Sequence, residues 1–249
     1  MKLVLLSLSL FALISRGSPV EGRSPDRTRV KPDMHEGVVR EAHLQFTHVD
    51  RFKRRRLTLD LYRPENGAGP FPGVVIYFGG GWQNGRPGIF APLAQALAQR
   101  GYVCIVPEYR LSGEKPFPAA VHDCKAAIRW LKAHTGKYGY DPERIAVWGT
   151  SAGGHLVSML GVTGDVPDLE GKLGKHLDEK SSITCVVNYF GPSNLLTMDD
   201  YPTNIKHSAA DSPEGKLVGG ALLEKKAVSY THLRAHETEA DLVCRLLLE

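Results

Sequence analysis

Six short stretches of the chain are apolar or alternate apolar with polar positions: 43–49, 57–62, 74–78, 103–106, 145–148 and 184–189. Runs of this length and composition predict strands. Pro72–Phe78, apolar almost throughout, reads as a buried one. Between the fourth and fifth runs, Ala126-Ala127-Ile128-Arg129-Trp130-Leu131 has the spacing of an amphipathic helix. The first two runs, Leu44–Val49 and Leu57–Tyr62, read as a hairpin around Arg51-Phe52-Lys53-Arg54-Arg55-Arg56. Asp141-Pro142-Glu143-Arg144 supplies a turn before the fifth strand.

The fifth strand changes the picture. Ile145-Ala146-Val147-Trp148 runs straight into Gly149-Thr150-Ser151-Ala152-Gly153-Gly154, and then into the helix-compatible His155-Leu156-Val157-Ser158-Met159-Leu160. This is strand, sharp turn, helix, with a serine at the tip: the pattern of a nucleophile elbow. Gly-x-Ser-x-Gly alone is a weak signal. Here the glycines two before and two after the serine remove Cβ atoms where strand and helix crowd together. A serine hydroxyl needs a base to take its proton and donors to hold the oxyanion that forms. The third strand ends in Gly79-Gly80-Gly81-Trp82, where three glycines let backbone N–H groups face a cavity without side-chain obstruction.

With its strand, Gly79-Gly80-Gly81-Trp82 resembles the His-Gly-Gly-Gly-Trp loop of the hormone-sensitive-lipase-like and feruloyl-esterase-like α/β-hydrolases. Phe78 stands where that family usually has histidine, a residue that orients the loop. Pro107-Glu108-Tyr109-Arg110-Leu111-Ser112 resembles the family's Asp-Tyr-Arg-Leu segment, with Glu108 for Asp. Gly191-Pro192-Ser193-Asn194-Leu195 resembles its Gly-Pro-Thr-Asp-Leu turn. The resemblance covers roughly residues 43–226. It implies an α/β fold, a three-layer αβα sandwich, truncated here after about the sixth of the usual eight strands. It implies Ser151 as the nucleophile and the N–H groups of Gly80, Gly81 and Ala152 as the oxyanion hole. Arg110 and Asp123 are structural in that family. His122 and His155 occupy neither position of its catalytic histidine, and are expected to pack.

Composition narrows the rest. Net charge is only +4 over 249 residues, so the basic hairpin run reads as a solvated turn and no nucleic-acid partner is expected. Four cysteines do not make a disulfide scaffold, and no metal or cofactor motif is present. Met1-Lys2 and the apolar Leu3–Ile14 read as a secretory signal peptide ending near residue 22. A disordered leader is expected over 23–42, then the hydrolase domain over 43–226. A secreted or periplasmic protein without a stable membrane anchor follows.

Residues 227–249 contain His232, His236 and Glu237, a tempting base and acid. The stretch resembles an in-frame translation of a transposon-based sequencing adapter followed by its flow-cell primer. It is expected to be non-native, so its histidines are not assigned. In this fold the order is serine, acid, histidine, and neither partner of Ser151 is found before residue 227. The chain as written is therefore expected to be a poorly soluble, nearly inactive fragment of a serine esterase. Its substrates would be small acyl esters, or acetyl or feruloyl esters on polysaccharide. The alternatives are a non-catalytic binding protein on a hydrolase scaffold, or amidase or peptidase chemistry on the same fold.

Overall fold

The computed structural model describes residues 34–49, 55–164, 166–200 and 204–225. The signal peptide, most of the leader, most of the basic hairpin run and the C-terminal tail lie outside them. All six predicted strands form: β1 (Val38–His48), β2 (Arg56–Pro64), β3 (Phe71–Tyr77), β4 (Val103–Pro107), β5 (Tyr140–Thr150) and β6 (Cys185–Tyr189). The helices are α1 (Ala91–Ala98), α2 (Ala119–Lys132), α3 (Thr135–Tyr138), α4 (Ala152–Val162), α5 (Pro167–Glu170) and α6 (Pro213–Val218). Among the described residues no helix is long and apolar enough to cross a membrane.

The strands make one mixed sheet in the order β1-β2-β4-β3-β5-β6. β1 and β2 are antiparallel neighbours, β2 is antiparallel to β4, and the remaining pairs are parallel. Alternation along each central strand fills two layers. Val75 and Tyr77 of β3 and Val103 and Ile105 of β4 face the larger core, with α2 and α4. Val74, Ile76, Cys104 and Val106 face the smaller one, with α1. The molecule is thus the expected αβα sandwich. β6 closes the sheet as an edge strand among the described residues. Tyr189 at its end is half exposed, its ring 5.2 Å from that of Trp148.

Two sequence expectations need correction. The leader does not reach residue 42, because β1 begins at Val38 and its first residues pair with Glu41↔Leu61 through Val38↔Pro64. Asp60 holds this edge. Arg40 Nη2 donates to Asp60 Oδ2 at 2.7 Å, and the His43 amide donates to Oδ1 of the same carboxylate at 3.0 Å. The Asp141–Arg144 turn is also not a separate element. β5 starts at Tyr140, Pro72 pairs with Asp141 and Gly73 with Ile145, and residues 142–144 bulge between them.

Arg110 and Asp123 are structural, as expected. Arg110 Nη2 and Nε donate to the two Asp123 oxygens at 2.7 and 2.9 Å, and the Arg110 amide donates at 2.8 Å. Asp123 is fully buried, and burial raises its carboxyl above the usual range despite the guanidinium. The pair fixes the β4–α2 connection to the helix it leads into. Asp123→Ala strands the arginine in the interior and is expected to cost about 3–5 kcal/mol. Urea unfolding tests this; a loss below about 1 kcal/mol contradicts a buried, fully engaged pair.

Candidate active site

Ser151 sits between β5 and α4, with φ 51° and ψ −121°. An L residue rarely adopts that conformation, and holding it costs on the order of 1–3 kcal/mol. The surroundings enforce it. The Ser151 amide donates to the Tyr189 carbonyl at 2.9 Å, and the His155 amide donates to the Ser151 carbonyl at 3.0 Å. A Cβ on Gly149 would stand 2.2 Å from the Gly153 carbonyl oxygen, and one on Gly153 2.2 Å from the Tyr77 oxygen. A Cβ on Gly154 would meet the Asn188 side-chain oxygen at 2.5 Å. Only glycine fits at these three positions, so strand, turn and helix close to backbone contact around the serine.

The glycine loop reaches the same place. A Cβ on Gly79 would lie 2.6 Å from the Thr150 carbonyl oxygen and 3.2 Å from Ser151 Cβ. Gly80 and Gly81 have φ of 117° and 58°. The Gly80 carbonyl accepts from the Gln83 and Asn84 amides at 3.1 and 3.0 Å. This turn orients the loop backbone beside the serine. The amides of Gly80, Gly81 and Ala152 donate to no backbone carbonyl among the described residues. Ala152 opens α4, so its N–H lies at the positive end of a helix dipole.

Phe78, where the related families carry histidine, holds the loop by other means. Its ring stacks on Tyr109 with centroids 4.4 Å apart, and Tyr109 Oη donates to the Phe78 carbonyl at 2.7 Å. Trp82 is buried and meets His155 edge-on at 5.2 Å. His122 is engaged elsewhere, its Nε2 donating to the Asp168 carbonyl at 2.9 Å. His155 packs inside α4, fully buried. Neither imidazole is hydrogen-bonded to the Ser151 side chain among the described residues.

One part of the site was not foreseen from sequence. Residues 204–222 fold back onto the glycine loop. Pro213 of α6 lies 3.4 Å from where a Gly81 Cβ would be, and Lys216 Nζ donates to Gln83 Oε1 at 2.9 Å. The Phe117 amide donates to the Leu217 carbonyl at 2.7 Å. Within the segment, His207 Nδ1 and Glu214 Oε2 are 3.0 Å apart, both largely buried. Ser212 caps α6, its Oγ accepting from the Gly215 amide at 2.9 Å. Ser212-Pro213-Glu214 was the available signal, since serine before proline before an acid marks a helix start. A six-residue helix carries too little periodicity to show where it docks.

The chain is similar to several known proteins. The BD-FAE family model matches residues 59–234. Esterase LipC of Mycobacterium tuberculosis is 35% identical over 53% of this chain and 33% of its own length. Among solved structures, a bifunctional GH43-CE protein of Bacteroides eggerthii aligns with TM-score 0.67 at 30% identity, over 78% of this chain and 28% of that one. Esterase 2 of Thermogutta terrifontis, solved phosphonylated by sarin, aligns with TM-score 0.61 at 29% identity, over 82% of this chain and 70% of that one. The chain spans about a quarter to a third of the length of the curated relatives it matches first.

The strain at Ser151 yields a stability prediction. Ser151→Gly relieves the backbone and is expected to stabilise the fold by about 1 kcal/mol, raising Tm by about 2–4 °C. Ser151→Ala keeps the strain and should leave Tm near that of the parent. Equal melting of both variants would show that the elbow is not strained.

Proposed function

The chain belongs to the BD-FAE family, and on that premise we propose that it is a carboxylic ester hydrolase acting through an acyl-enzyme on Ser151. The observation that carries this reading is the meeting of glycine loop and elbow, with Gly79 against Thr150 and Ser151. Ser151 Oγ attacks the ester carbonyl carbon and loses its proton to a base. The carbonyl oxygen becomes an oxyanion among the N–H groups of Gly80, Gly81 and Ala152. Each such donor is worth roughly 2.7–4 kcal/mol in the transition state. Collapse expels the alcohol, and water then releases the acid. In the chain order of the fold, the acid and the base follow Ser151.

The substrate class we propose is a small acyl ester or an acetyl or feruloyl ester on polysaccharide. The carbohydrate part draws on the esterase named in the Bacteroides eggerthii protein and on a carbohydrate esterase from gut microbiota, which aligns with TM-score 0.64 at 29% identity. Export to the periplasm or beyond is proposed from Met1–Ile14 alone.

A fluorophosphonate probe tests the reading, applied to protein expressed from the source gene. The serine oxygen attacks phosphorus and fluoride leaves, so stoichiometric labelling reports an activated hydroxyl. Labelling is expected, and Ser151→Ala should abolish it. A folded protein that takes no label supports the non-catalytic binding reading instead.

A further inference from the structure

A cavity of about 640 Å³ lies where the end of β1, the last turns of α2 and residues 172–176 meet. None of its lining residues belongs to the elbow or the glycine loop. Its volume is in the range of small-ligand sites. Its charge is one-sided. Lys172 and Lys175 line it together with His48, His134 and His176, and among the described residues no carboxylate does. A neighbouring cavity of about 960 Å³ makes the contrast. There Asp168, Glu170, Asp178 and Glu179 stand with Arg129, Lys172 and Lys180, so the lining neutralises itself.

The imidazoles of the first cavity are oriented by the fold. His134 stacks on Trp130 at 4.1 Å, and its Nδ1 donates to the Trp130 carbonyl at 2.6 Å. His176 meets His134 edge-on at 5.3 Å. On β1, Gln45 Nε2 donates to His48 Nε2 at 2.7 Å. With that nitrogen accepting, the neutral His48 ring carries its proton on Nδ1. That atom is buried and has no hydrogen-bond partner among the described residues.

We infer that this cavity binds an anionic sugar residue, with its carboxylate or sulfate held by Lys172 and Lys175. Gln45 and the indole–imidazole stack supply the polar and flat surfaces that a sugar's hydroxyls and ring need. The choice of a sugar as carrier of the anion rests on the polysaccharide-ester reading; the preference for an anion rests on the cavity alone. Binding here would hold an acidic polymer at a point separate from the ester being cleaved. Such two-point attachment raises effective concentration without new contacts at the serine.

Isothermal titration of the folded protein tests the inference, with trigalacturonate, a sulfated carrageenan oligosaccharide and neutral maltotriose as titrants. At least one anionic titrant is expected to bind with Kd below about 1 mM, and which one identifies the anion. Maltotriose should not bind. Lys172 and Lys175 are exposed, so Lys172→Gln/Lys175→Gln should leave the fold intact while weakening binding about tenfold or more. Added salt should weaken it as well. Failure of both anionic titrants, equal binding of maltotriose, or unchanged binding by the double variant overturns the site. Ser151→Ala should bind like the parent. Binding without fluorophosphonate labelling would overturn the esterase reading alone, and labelling without binding this site alone.

Discussion

The proposed catalytic site depends on backbone packed against backbone at four glycines. Gly149 meets Gly153, Gly153 meets the Tyr77 carbonyl, Gly154 meets Asn188 and Gly191, and Gly79 meets Thr150. At each, a Cβ would stand closer than 3.0 Å to another heavy atom. No side chain can give way where the obstruction is a carbonyl oxygen. The contacts therefore fix where β3, β5, β6 and α4 end relative to one another. They hold Ser151 at a positive φ and bring the loop of Gly80 and Gly81 beside it. The larger core behind them, with α2 and α4 on the sheet, provides the burial that offsets the local strain.

Much of this was legible in the sequence, because it is written in short-range signals. Strand runs such as Val103–Pro107 and the change from apolar run to Gly-x-Ser-x-Gly-Gly to helix need only a few neighbouring residues to be read. What escaped depends on partners far along the chain. β1 begins at Val38 because Arg40 finds Asp60 twenty residues on, and nothing local to Arg40 shows this. The Asp141–Arg144 segment was read by its turn residues, which are real: Asp141 Oδ1 accepts from the Glu143 amide at 2.9 Å. The pairing of Tyr140 and Asp141 with Phe71 and Pro72 turns it into a bulge within one strand.

The site divides in the same way. The elbow and the glycine loop are each local and were found; the docking of α6 on Gly81 and Gln83 joins residues more than 130 positions apart and was not. Phe78 shows that the loop geometry does not require the family's usual histidine. Its carbonyl is held by Tyr109 and its ring by stacking, so an apolar contact replaces a polar one. Arg110 and Asp123, tempting as catalytic residues, are consumed by each other deep in the interior.

The most direct test of the account is the thermal unfolding of Gly153→Ala beside Gly88→Ala. The first adds a methyl 2.2 Å from the Tyr77 carbonyl oxygen, whereas nothing lies within 4 Å of the second. If the glycine contacts set the elbow, Gly153→Ala loses several kcal/mol, more than the usual overpacking cost of about 1–3 kcal/mol. It would melt far below the parent or fail to fold cooperatively. Gly88→Ala would melt within about 1–2 °C of the parent. Parent-like melting of Gly153→Ala would contradict the account.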